Sequence, residues 1–169
     1  MSAVLVGLVT PDLELLDAAI DDRPALGRGL ACEVSEGWVV SPEALRRVRD
    51  ALAADSESAG WGTRFFVLDE PRTLVGWGGF KGPPREGVVE LGYEVAPRWE
   101  GRGLATAAVR EMVREAFAAP EVQSVVAHTL AEPGPSVRVL EKADFVHTGE
   151  VPDERFRKAW RFRLDRPTA

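Results

Sequence analysis

The stretch whose reading decides the fold is Glu90-Leu-Gly-Tyr-Glu-Val-Ala-Pro-Arg-Trp-Glu-Gly-Arg-Gly-Leu-Ala-Thr-Ala-Ala-Val109. An apolar-rich run, Val88–Val95, ends at Ala96-Pro97 and predicts a strand. A loop carrying Gly101 and Gly103 then opens straight into a helix of about 14 residues, with Ala105, Ala108, Val109, Met112 and Ala116 on one face. Glycine lets backbone approach a ligand closely. The first-turn N–H groups of a helix lack intrahelical partners and sit at its positive end, so this junction suits an anion. Arg98 and Arg102 add charge. Diphosphate binding fits these parts; a plain helix cap, in which glycine only turns the chain, is the other reading. A Walker loop is excluded because no Gly-Lys-Ser/Thr follows a longer glycine span. A dinucleotide fingerprint is excluded because Thr106 stands where a third small residue belongs and no acidic residue follows at the required distance.

Outward from this segment, Val4–Val9 reads as a first strand rather than a signal peptide, since it is short and lacks a basic flank. Thr10-Pro11 predicts a helix start, and Leu13, Leu16 and Ile20 recur at helical spacing. Residues 22–37 are expected to form loop with some strand or turn. Ser41-Pro42-Glu43 signals a second helix, with Leu45, Val48 and Leu52 on its apolar side. The Ala/Ser/Gly-rich stretch 53–62 is the nearest thing to a flexible link. Arg64–Leu68 and Thr73–Phe80 are strands joined by the turn Asp69-Glu70-Pro71-Arg72. Beyond the long helix, Val122–Thr129 is a nearly all-apolar strand of the kind buried on both faces. Pro135–Lys142 is a short helix, and 144–150 and 156–164 are closing strands. The order β-α-α-β-β-β-α-β-α-β-β predicts one mixed α/β layer domain over residues 1–169.

Composition narrows the chemistry. At 169 residues the chain suffices for one well-buried core. A net charge of −6 argues against a dedicated nucleic-acid binder. No run approaches the roughly 20 apolar residues that span a bilayer, so no membrane partner is expected. Cys32 is the only cysteine, and the two histidines are His128 and His147, so neither an intramolecular disulfide nor a zinc site is expected. A reducing, cytoplasmic setting fits this usage.

The loop and a second stretch, Pro133-Gly-Pro-Ser136-Val-Arg-Val-Leu-Glu-Lys142-Ala-Asp-Phe145, together resemble the GNAT superfamily of acetyl-CoA-dependent N-acetyltransferases, in particular its ribosomal-protein N-terminal acetyltransferase branch. The family loop, Gln/Arg-x-x-Gly-x-Gly/Ala, is matched from Glu100 to Ala105. The second motif is the family's Asn-x-x-Ser-x-x-x-Leu-x-Lys-x-Gly-Phe. Three positions depart from the pattern: Glu100 replaces Gln or Arg, Pro133 replaces the Asn, and Asp144 replaces the Gly. The resemblance implies an α/β (α+β) fold, a single mixed, mostly antiparallel twisted sheet of about six or seven strands flanked by about four helices. Residues 1–62 would be the acceptor side, 63–145 the cofactor core and 146–169 the closing strands.

The function implied is acetyl transfer from acetyl-CoA, as co-substrate and without a metal, to a primary amine by direct attack in a ternary complex. The acceptor is a small molecule or a protein N-terminus. In the family the cofactor's arm lies where the loop's strand splays from its neighbour, which implies main-chain contacts at Tyr93 and Val95. The diphosphate would then lie on Gly101, Arg102, Gly103, Ala105 and Thr106, with Arg98 and Arg138 in reach. Attack requires a neutral amine, and at pH 7 only about a tenth of a peptide α-amine is free base. Glu90 is the first candidate for the base, ahead of Glu94 and His128, and Ser136 is the candidate acid. Trp38 and Trp61 flank the acceptor side as candidate pocket residues. A homodimer is common in the family. A non-catalytic acyl-CoA-binding or sensor domain on the same fold is the alternative.

Overall fold

A computed structural model describes residues 5–39 and 41–168. The described residues form an eight-stranded sheet with the order β1-β3-β4-β5-β6-β8-β7, and β2 beside β4. The strands are β1 (Val6–Val9), β2 (Glu33–Val34), β3 (Thr63–Leu68), β4 (Thr73–Phe80), β5 (Val88–Val95), β6 (Ser124–Leu130), β7 (Val146–Asp153) and β8 (Arg157–Asp165). The helices are α1 (Leu13–Asp21), α2 (Arg23–Leu30), α3 (Pro42–Ala54), α4 (Leu104–Ala118) and α5 (Pro135–Lys142). All pairings are antiparallel except β2 with β4 and β5 with β6. The expected mixed, mostly antiparallel sheet is therefore present, with one more strand and one more helix than the sequence suggested. Val4, read as part of β1, lies outside the described residues.

The sheet has a core on each face, and the period-2 alternation of β3 divides them. Phe66 and Leu68 join Val89, Leu91, Val109, Met112 and Leu140 under α4 and α5. Phe65 and Val67 turn the other way, to Leu16, Leu26, Leu45 and Leu74 under α1 to α3. Trp38 belongs to that second core: it is 5% exposed and meets Phe65 edge-on, with ring centroids 5.1 Å apart. It packs and does not line a pocket. Trp61 meets Phe80 in the same way and also borders an apolar cleft of about 230 Å³ beside α3.

Three local readings change. The cap of α1 is Asp12, whose Oδ1 accepts from the Leu15 N–H at 2.8 Å, so Thr10 and Pro11 precede the helix. The stretch 22–37 contains a true helix, α2, capped by Asp22 and burying Leu26 and Leu30. Gly27 and Gly29 lower its intrinsic propensity and hid it from a periodicity reading. A Cβ on Gly29 would stand 2.8 Å from the Leu15 side chain, so glycine lets α2 lie close to α1. The stretch 53–62 is no loose link either; Ser56–Trp61 is a 3-10 helix.

Arg64 explains that order. Its side chain is 7% exposed. Its guanidinium donates to the carbonyls of Ala59, Gly60, Gly62 and Thr63 and to Glu115 Oε2, all within 3.3 Å. One side chain thus satisfies the backbone that a Gly/Ser-rich segment leaves over, and ties it to α4. Arg64→Met is expected to cost about 3 kcal/mol of stability in chemical denaturation, because several part-buried carbonyls and Glu115 lose their donor.

Candidate active site

The sheet opens between β5 and β6. These parallel strands pair only over Val88–Glu90 with Ser124–Val126, while β6 stays paired to β8 along its whole length. The direction of the β5 backbone follows from its other edge. Glu90 O accepts from Lys81 N, and Ala96 N donates to Val75 O, so the even-numbered residues turn their N–H and C=O toward β4. Along a strand these directions alternate, so Leu91, Tyr93 and Val95 present theirs to the opening.

The long helix closes the far end of this opening. Gly101 and Gly103 adopt φ of 72° and 78°, a left-handed backbone that favours glycine, and Gly103 caps α4 without any side-chain bond. A Cβ at either position would meet nothing within 4 Å, so the space in front of the α4 N-terminus is open. A groove of about 600 Å³ runs from there along β5 to α5 and is bordered by Tyr93, Val95, Gly101, Gly103, Ala105 and Thr106. Ser136, Arg138 and Lys142 form its opposite wall. The backbone donors, cations and unpaired strand edge suit a long ligand with an anionic end.

Not every residue expected here lines the groove. Arg98 and Arg102 instead lie over the Trp99 ring, at 6.0 and 4.8 Å from its centroid. Glu100 does border the groove, so the loop supplies a carboxylate where the family pattern has Gln or Arg. The cations come from α5. Lys142, four residues beyond Arg138 and on the same helix face, was not read as a site residue, although that spacing was its signal. α5 is ended by Asp144 at φ 69°, with Phe145 N bonded to Leu140 O and Asp144 N to Glu141 O. This left-handed C-terminal motif is the role the family glycine fills.

Two further cavities share lining residues with the groove. One of about 420 Å³ is bordered by Gly92, His128, Thr129, Glu132, Ser136 and Arg155. The other, about 470 Å³, opens on the α3 side past Arg47, Trp77, Gly78 and Glu94. Tyr93 borders all three. Its hydroxyl donates to Ser136 O at 3.1 Å, and burial pushes the phenol well above its ordinary range. Glu94 accepts a hydrogen bond from Trp77 Nε1. Glu90 borders none of the three; its Oε1 accepts from Lys81 Nζ at 2.7 Å and meets His128 Nδ1 at 2.8 Å. Burial raises the Glu90 carboxyl, but the bonds from Lys81 and His128 outweigh it and hold the group below the usual carboxylate range.

The model of the acetyltransferase (GNAT) domain family matches residues 8–146, so the chain belongs to this family of N-acetyltransferases. A relative is the uncharacterised N-acetyltransferase YjdG of Bacillus subtilis, 27% identical over 142 residues, which span 82% of this chain and 84% of YjdG. Among solved structures, Mycobacterium smegmatis RimJ in complex with CoA-disulfide aligns with a TM-score of 0.69 at 21% identity, over 95% of this chain and 81% of that one. The microcin C7 self-immunity acetyltransferase MccE, in complex with acetyl-CoA and AMP, aligns with a TM-score of 0.69 at 13% identity, over 95% and 92%. These likenesses establish the shared fold.

Gly103→Ala places a Cβ in the left-handed region at the mouth of the groove. It is expected to lower stability by about 1 kcal/mol in chemical denaturation, and with it the order of the α4 N-terminus.

Proposed function

We propose that this chain transfers the acetyl group of acetyl-CoA to a primary amine, by direct attack within a ternary complex. The observation that carries the reading is that Tyr93 borders the groove at the α4 N-terminus, the inner cavity beside His128 and the cavity on the α3 side. It gives a long substrate and a second substrate separate entrances to one point.

Acetyl-CoA supplies an acetyl thioester: the amine nitrogen bonds to the carbonyl carbon, the C–S bond breaks, and its electron pair leaves on sulfur. Gly101, Gly103, Ala105 and Thr106 present the backbone at the α4 terminus to the diphosphate, where helix-end donors and dipole favour negative charge. Arg138 and Lys142 face them across the groove and offset Glu100. Arg98 and Arg102, above Trp99, stand outside the groove and suit the outer phosphate of the cofactor. Tyr93 and Val95 offer main-chain groups to the pantetheine arm. A backbone N–H aimed at the carbonyl oxygen, whose charge grows during attack, is worth roughly 3 kcal/mol. Ser136, in the first turn of α5, borders both the groove and the inner cavity, which supports it as the group that gives the sulfur its proton. Glu90 and its partner His128 stand at the closed end of the gap, where the amine must lose its proton. A small-molecule amine or a protein N-terminus suits the α3-side entrance, and a cytoplasmic setting suits the chemistry.

Saturating acetyl-CoA, at 100 times its dissociation constant, should add about 2.7 kcal/mol of stability. Free-thiol release across an amine panel then separates transfer from binding alone, since a sensor domain would bind without turnover. Arg138→Ala and Lys142→Ala are each expected to weaken acetyl-CoA binding by about 5-fold to 10-fold in calorimetry, with larger losses at low salt. Unchanged affinity in the double variant would remove the α5 cations from the site.

A further inference from the structure

Val125 and Ala127 of β6 point into the core beneath α4. By the period of a strand, Val126 and His128 point to the opposite face, the one toward which the second substrate would approach. Glu90 pairs with Val126 in register and shares that face. His128 is 19% exposed at its side chain and borders the inner cavity, whereas Glu90 borders no cavity and commits Oε1 to both Lys81 and His128. Glu90 is 27% exposed at its side chain, but of the pair it is the imidazole that borders the inner cavity.

Resting on the acetyl-transfer reading, we propose that His128 Nε2 takes the proton of the acceptor amine and that Glu90 is the positioning residue that holds His128 Nδ1. A carboxylate can only accept, so the nitrogen 2.8 Å from it must carry the hydrogen, and Nε2 is left as the lone-pair atom. Lys81, 2.7 Å from the same oxygen, keeps Glu90 ionised and makes it a poor proton acceptor itself. The acceptor arrives as an ammonium and gives one proton to Nε2. The freed nitrogen attacks, Ser136 gives its hydroxyl proton to the sulfur as the C–S bond breaks, and the second proton shed by the nitrogen restores the Ser136 hydroxyl. The products are an acetamide, the CoA thiol and a proton passed from His128 to water. The other groups facing His128 are Arg161, its register partner on β8, Asp153 at the end of β7, and Arg155 and Glu132 at the cavity rim. Their charges are of both signs, which leaves Glu90 as the specific partner.

The test uses the full chain and two readouts. Nitrogen NMR of the ligand-free protein, with His128 assigned by its loss in His128→Asn, should give an Nδ1–H tautomer whose share falls in Glu90→Gln, since an amide can accept from that nitrogen or donate to it. Asn retains a donor to Glu90 but has no atom at Nε2, and His128→Gln provides a second truncation should Asn disturb the strand. Both are expected to keep the acetyl-CoA thermal shift and to lower kcat by about 100-fold or more, the usual contribution of a positioned base. Glu90→Gln should lower kcat less, because the imidazole keeps Nε2 and loses only part of the hold on its tautomer. Wild-type kcat and pH profile in both His128 variants, or an Nε2–H tautomer in the wild type, would overturn the assignment. Loss of the acidic limb in Glu94→Gln with no change in the His128 variants would transfer the role to Glu94. A wild type that binds acetyl-CoA but acetylates no amine overturns the transfer reading itself, whatever the tautomer.

Discussion

Everything at the site depends on β5 and β6 parting after Glu90. Paired strands satisfy one another's backbone groups, and a strand that leaves early exposes the next few to whatever comes between. β6 is kept from following β5 by its full-length partnership with β8, which runs from Ser124–Asp165 to Leu130–Ala159. β5 in turn is fixed by β4, where Gly76 and Gly78 let the strands approach so closely that a Cβ would lie 2.3 Å from a carbonyl oxygen. With both neighbours anchored elsewhere, the gap belongs to the fold. The first turn of α5 stands at its edge, where the Tyr93 hydroxyl bonds Ser136 O.

The distribution of charge around this gap differs from what the loop motif alone suggests. Glu100 brings an anion to the α4 junction, two arginines are held on Trp99, and the cations that border the groove come from α5. Backbone N–H groups and the helix dipole work regardless of which side chains flank them, so the proposed diphosphate site would tolerate an acidic residue at its rim. Removing the glycines would be less easily absorbed, since Gly101 and Gly103 both need a left-handed backbone.

Much of this was legible in the sequence because it rests on local signals. The strand, glycine loop and long helix announce themselves by period and punctuation, and the second motif places α5 and its left-handed end at Asp144. What the sequence hid depends on contacts between distant residues. α2 was masked by two glycines whose use is to let helices touch, and the order of 56–61 comes from Arg64, outside the segment it holds. β2 is two residues long, too short to leave a pattern, and its partner β4 lies some forty positions on, at Thr73 and Leu74. Trp38 looked like a pocket residue because of its neighbourhood, and the core claimed it. Glu90 and His128 are 38 positions apart, and only the register of β5 on β6 brings them together.

The central claim is that the edge of β5 exposed by this parting is where the acetyl donor lies. Residue-resolved amide hydrogen exchange, with and without saturating acetyl-CoA, addresses it directly. The account predicts that the amides of Tyr93 and Val95 become strongly protected together with those at the start of α4, while Gly92 and Glu94, already turned to β4, change little. Binding accompanied by no change at Tyr93 and Val95, or by protection confined to the α3 face, would contradict it.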